Sequence, residues 1–359
     1  MMLARYRCLQ WVFTLLFVIA SSSFAGEWKQ VTQLPTWRIG GAAAAVGGKI
    51  YLIGGFDHET HIGGRGPALS TVDVYDTRTN TWHAAAEIPI PRIASQTVVF
   101  STEIYVFGGY DYKGPWGVKR YHKTVEAYDT QTDTWVKKQD MPTRRMPFAA
   151  AVVDGKIYLI GGTRIEVKNG VFGGKAITDL VEVYDPLTDR WEKRADMPTA
   201  RSADDAVVVD SKIYVLGGQT RFDGDLAGRF VTRIEAYNPK TDQWHQLRDM
   251  PMFKFGFSTV AVDNEIYMVN GMDNALQRID VVDVYNPTVD KWREIEPPTI
   301  PTEGTAAVVV NGTIYTLGGL LSDFEFSPIV EAFDTGFRAV TARGKLLTHW
   351  GKLKAEHQK

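Results

Sequence analysis

The chain has 359 residues, 40 basic against 42 acidic side chains, and a single cysteine. A net charge of −2 argues against nucleic acid as a partner, which calls for a strongly basic face. One cysteine excludes a disulfide framework, so stability has to come from an ordinary hydrophobic core, for which the length suffices.

The first 25 residues predict a secretory leader. Arg5 and Arg7 precede an apolar run from Leu9 to Ala20, and small residues end at Ser23-Phe24-Ala25. That order of charge, grease and small residues is the pattern of a cleaved signal peptide. The run is shorter than the roughly 20 residues of a membrane span; an uncleaved anchor is the alternative. Cleavage after Ala25 would remove Cys8 together with Arg5 and Arg7, leaving a cysteine-free chain with a net charge near −4. Cys8 precedes the apolar run, so it is not the lipidated first residue of a mature lipoprotein. The expected location is secreted or periplasmic, with no membrane span after cleavage.

From residue 26 onward the chain repeats itself. Glycine pairs follow an apolar run at Gly54-Gly55, Gly108-Gly109, Gly161-Gly162, Gly217-Gly218 and Gly318-Gly319, with Asn270-Gly271 in the fifth place. Tryptophans recur at Trp28, Trp82, Trp135, Trp191, Trp244 and Trp292. Ten residues after each stand Arg38, Arg92, Arg145, Arg201, Lys254 and Thr302, and sixteen further on begins each glycine pair. Tyr75, Tyr128, Tyr184, Tyr237 and Tyr285 each precede a tryptophan by seven. Only the loop between glycine pair and tyrosine varies in length, as insertions in repeat folds collect on one face.

Each repeat predicts four strands. In the third copy these are Ala149–Val153, Lys156–Gly161 across a tight Asp154-Gly155 turn, Val181–Asp185, and a fourth beginning near Trp191. The apolar second strand fits burial on both faces between neighbours. Asp185-Pro186-Leu187-Thr188-Asp189 supplies turn chemistry, and the tryptophan is expected to cover the next repeat.

Paired glycines, then tyrosine, then tryptophan, then Pro-x-x-Arg resemble the kelch repeat family over roughly Glu27 to Phe337. The resemblance implies an all-β, six-bladed propeller with four antiparallel strands per blade, spanning residues 26–337. The sixth copy has Phe333 for the tyrosine and Val340 where tryptophan is due, whereas Trp28 carries the full downstream register with Pro35 and Arg38. The N-terminal strand should therefore complete the last blade, which removes exposed edges. Residues 338–359 form a basic tail with Leu346, Leu347 and Trp350, either docked or frayed, or serving attachment.

Candidate ligand-binding residues concentrate where the fourth strand passes to the next blade. Arg38, Arg92, Arg145, Arg201 and Lys254 would ring one mouth of the channel, on the face that kelch proteins often use for partners. Such a ring suits an acidic peptide or an anionic carbohydrate; alternatively these side chains bond turn carbonyls as part of the repeat. Tyr112, Trp116 and Arg120 in the second blade's loop, with Arg164 and Arg221 in the third and fourth, add the aromatic and basic groups that binding hot spots favour. Asp204 and Asp205 break the small, apolar start of the first strand; pointing to opposite sides, they are no acid–base pair, and one should line the channel mouth, where it could salt-bridge the arginine ring. Asp57-His58-Glu59-Thr60-His61 lacks the spacing and the helix of a zinc-protease site. Asn311-Gly312-Thr313 matches a glycosylation acceptor, but Asn-Gly suits a hairpin turn.

No metal or other cofactor is expected. The copper oxidases built on kelch propellers need a cysteine cross-linked to tyrosine, which the mature chain lacks. The favoured function is a monomeric scaffold that recognises a protein or peptide, with no catalytic residues assigned. A carbohydrate-binding or carbohydrate-active propeller similar to the sialic acid mutarotases is the alternative, and a structural envelope protein held by its basic tail is a third.

Overall fold

Short, turn-bounded segments form strands, alternately buried in an innermost strand such as Ala149–Val153 and almost continuously buried in the second and third strands of a blade. A computed structural model describes residues 26–57, 67–113, 118–168, 171–202, 205–221, 230–322 and 325–337. Among them are six four-stranded antiparallel sheets, each a blade. Their innermost strands are Ala42–Val46, Gln96–Phe100, Ala149–Val153, Asp205–Val209, Ser258–Val262 and Ala306–Val310. Each innermost strand packs beside those of its neighbours, the sixth against the first, so the blades close around a central channel.

The third blade has its expected strands, Ala149–Val153, Lys156–Ile160, Val181–Asp185 and Arg190–Lys193, the second ending one residue before the expected Gly161, with Asp154 and Gly155 both at positive φ. Ring closure is also as expected. Trp28–Gln33 is the outer strand of the sixth blade, antiparallel to Ile329–Asp334, and the rings of Trp28 and Phe333 lie 5.1 Å apart.

The core consists of six clusters, one at each blade interface. Val308, Val310, Leu317 and Val330 of the sixth blade meet Ile50, Leu52 and Tyr75 of the first, and the other five interfaces repeat the scheme. The tryptophan covers the preceding blade, not the next. Trp135 packs on the cluster of Ala44, Tyr51 and Ile53, and its indole N–H donates to Ala86 O at 2.8 Å. Trp244 bonds Ala195 O, and Trp28 bonds Glu296 O, in the same way. The reason is register: the indole lies opposite its own tyrosine, Trp135 opposite Tyr128, on the side of the sheet that faces backward around the ring.

The second glycine of the pair ties adjacent blades together at Gly55, Gly162 and Gly271. Gly162 N–H donates to Arg201 O at 2.9 Å, as Gly55 does to Arg92 O. Gly162 has φ +103°, and a Cβ there would come within 2.8 Å of Phe148 Cβ. No other residue tolerates both that angle and that approach.

Candidate functional site

The turns that lead into each innermost strand, and the loops between second and third strands, emerge on one face. The five basic side chains expected to ring that face are instead buried. Arg92, Arg201 and Lys254 are 0 % exposed, Arg145 1 % and Arg38 3 %. Each turns into its own blade and meets an acid of the third strand: Arg38 with Asp73, Arg92 with Glu126, Arg145 with Glu182 at 3.0 Å, Arg201 with Glu235, and Lys254 with Asp283 at 2.6 Å. Arg145 also donates to Gly161 O, Leu180 O and Leu159 O. Burial pulls Arg38, Arg92, Arg145 and Lys254 below their usual values, and the facing carboxylates pull them back.

These residues therefore cannot contact a ligand from the face, and the basic ring is architecture. A buried charge survives only when paired and hydrogen-bonded, and the blade supplies both. The missed signal was an acid two residues before each tyrosine or its equivalent: Asp73, Glu126, Glu182, Glu235, Asp283 and Glu331. The sixth blade has Thr302 for the base, and Glu331 instead accepts from the Thr299 amide and hydroxyl. Asn270 replaces a glycine in the same region and donates its amide to Thr302 Oγ1 at 2.8 Å.

The second blade's loop folds into a hairpin, Tyr110–Lys113 with Val118–Tyr121. Tyr110 and Tyr112 meet edge to face at 5.6 Å, with the Lys119 ammonium 4.5 Å from the Tyr110 ring. Arg120 holds both oxygens of Asp111, its Nε donating to Oδ1 at 2.9 Å, and that Oδ1 is 3.5 Å from His122 Nε2. Burial, then the charge of Arg92, lowers the His122 imidazole to about 4 despite Asp111. Trp116 lies outside the described residues. Beside the hairpin, Lys123, Arg144 and Arg164 converge with Glu166 on an open groove of about 550 Å³ between the second and third blades. Arg144 Nε donates to Tyr121 O at 2.9 Å, and Arg164 lies 3.4 Å from Glu166. Arg221 is exposed and its carbonyl accepts from the Gln219 amide, away from that groove.

At the centre of the face the channel opens into a cavity of about 350 Å³. Asp205 lines it; Asp204 lies outside the described residues. Asp205 stands four residues after Arg201, where the other blades place Ala42, Gln96, Ala149, Ser258 and Ala306. Its carboxylate accepts from Thr259 N–H and Ala206 N–H, both at 2.8 Å, so it bridges the fourth and fifth blades rather than pairing with the buried arginines. Burial raises its carboxyl above the usual range. Among the described residues no three His, Cys, Asp or Glu side chains cluster as a metal site, and His58–His61 lie outside them.

Comparison with known proteins agrees with this architecture. A sequence model of the FKB95 Kelch-repeats domain matches residues 23–164, and the Kelch motif matches residues 144–198, 205–251 and 254–299. The chain belongs to the kelch repeat family. Kelch relatives include alpha-scruin of Limulus polyphemus, 28% identical over 69% of this chain and 26% of its own length, and mouse Kelch-like protein 35, 27% identical over 69% and 37%. The kelch chain thus spans well under half of these relatives. The solved structure of YjhT superposes with a TM-score of 0.69 at 17% identity, covering 83% of this chain and 95% of that one. At that identity the likeness speaks for the kelch propeller fold alone.

Proposed function

We propose that this kelch propeller is a binding scaffold for a protein or extended peptide with an acidic segment. The groove between the second and third blades carries the proposal: three cations, Lys123, Arg144 and Arg164, face one acid, Glu166, next to the hairpin of the half-buried Tyr110 and Tyr112. Guanidinium forks and aromatic faces are the groups that anchor peptide partners. The kelch relatives support a scaffold in general terms, and the leader read at residues 1–25 supports display outside the cytoplasm.

The test is fluorescence anisotropy with a labelled Asp/Glu-rich dodecapeptide and a lysine-rich counterpart at 150 mM salt. The acidic peptide should bind at least tenfold more tightly, and Lys123→Glu with Arg164→Glu should abolish the preference while the thermal transition is kept. Equal binding of both peptides, or a preference that survives the double variant, overturns the assignment. A small-carbohydrate ligand is a second reading, favoured by the hydroxyl-lined cavity at the channel mouth; a monosaccharide titration separates it from the first.

A further inference from the structure

The channel mouth has a chemical character opposite to that of the outer groove. Thr97 donates its hydroxyl proton to Ala43 O at 2.9 Å, Ser258 to Thr305 O at 2.5 Å, and Thr305 to Leu317 O at 3.2 Å. With those protons committed to the backbone, the three oxygens have only lone pairs to offer the cavity they line. Asp205 is the one ionisable side chain among the described residues of the lining, and an ionised carboxylate is acceptor-only. Two further hydroxyls line the cavity: Thr259 at 6 % exposure, which lies beside the Asp205 carboxylate, and Ser95 at 7 %, which has no hydrogen-bond partner. An unpartnered hydroxyl in so closed a place is costly unless something else bonds it.

The polar groups are unevenly distributed. They come from the second, fourth and fifth blades and from Thr305 at the start of the sixth, whereas the first blade contributes Gly41, Ala42 and Ala43. Small side chains from the first blade and Ala150 of the third, facing hydroxyls, the Gln96 amide and the Asp205 carboxylate of the others, leave space that a compact ligand can occupy. We propose that this cavity binds a compact organic cation bearing a primary ammonium, with the N–H groups meeting Asp205 and the surrounding hydroxyl oxygens. An ammonium offers three donors and no acceptor, and its charge compensates a carboxylate held away from water. A neutral polyol would satisfy the hydroxyls but bring no charge to Asp205, whose oxygens accept only neutral donors such as the Thr259 and Ala206 N–H groups. The site is separate from the peptide groove and goes beyond the scaffold function.

Calorimetric titration of the full-length chain with matched pairs tests the proposal: ethanolamine against ethylene glycol, 1,4-diaminobutane against 1,4-butanediol, and D-glucosamine against D-glucose. At least one amine should bind with a millimolar or lower Kd and at least tenfold more tightly than its hydroxyl partner. Asp205→Asn should bring that ratio to within twofold. Ala306→Leu, which fills the cavity from the position equivalent to Asp205 in the sixth blade, should remove amine binding without altering charge. The acidic-peptide affinity should be unchanged in both variants, so failure here and failure of the scaffold assignment are distinguishable. If no amine outbinds its partner, or if the preference persists in either folded variant, the site is not an ammonium site.

Discussion

The buried basic residues show how one side chain can serve the fold where an exposed position was expected. An arginine in a polar turn, ten residues after a tryptophan, is compatible with solvent until its partner is known. Once Glu126 is seen facing Arg92, both groups belong to the blade. Removing one partner would strand the other charge in the core, a loss of about 3–5 kcal/mol. The hairpin above this pair has its own titrating group. His122 is 8 % exposed, and its folded value of about 4 lies below the ordinary 6.5. The unfolded chain therefore binds the proton first as pH falls, so stability is full above pH 6.5 and declines as pH drops toward 4. The loss should be on the order of 3 kcal/mol from this group. Urea denaturation at pH 7 and pH 4.5 measures it, and His122→Gln should flatten that part of the profile. A slope unchanged by the substitution would place the proton uptake elsewhere.

At the scale of the strand and its turn, the repeat's tyrosine, acid and tryptophan form one device. Tyr128 donates to Asp133 Oδ1 at 2.6 Å, Asp133 Oδ1 also accepts from Ala86 N–H of the preceding blade at 2.8 Å, and Trp135 closes on Ala86 O. Asp133 has φ +56°, in the left-handed region that Asp and Asn tolerate. Asn80 fills the same place in the first blade, accepting from Tyr75 at 2.8 Å. Asp133→Asn should therefore be nearly neutral, whereas Asp133→Ala should cost about 1–2 kcal/mol from lost acceptors and backbone strain. Thermal melts of the two variants distinguish this from a simple charge effect, under which both would fall alike. Much of the device was legible in the sequence, because glycine pairs, tyrosines and tryptophans keep fixed distances and the turn residues carry their own conformational preference. The direction of tryptophan packing was not, since spacing is the same whether an indole turns toward the blade before or after it. Asp205 could be singled out as an irregular residue at the channel, but its partners come from the neighbouring blade's Thr259, which linear spacing does not reveal.

For the whole molecule, the six interfaces are alike in packing but not in covalent continuity. Within the first five blades every strand continues directly to the next through a turn or loop. The sixth blade alone joins two distant parts of the chain, Trp28–Gln33 lying on Ile329–Asp334. Its outer strand is held by pairing, by Leu34 N–H donating to Pro328 O at 2.7 Å, and by the Trp28 indole tilted against Phe333 and bonded to Glu296 O. Trp28 is 7 % exposed, so Trp28→Ala should cost about 3–5 kcal/mol, as truncation of a buried aromatic does. Trp135→Ala removes an equivalent indole from the second blade, but Thr134–Lys138 remains tethered by the turn from Val125–Asp129. The two variants should thus differ in kind. Under native conditions trypsin should cut Trp28→Ala rapidly at the exposed Lys29, since a strand released at one end can leave the sheet without global unfolding. Trp135→Ala should resist at Lys137 and Lys138 until the whole ring opens. Equal protection of both sites would mean that closure depends on the summed blade interfaces rather than on the N-terminal strand.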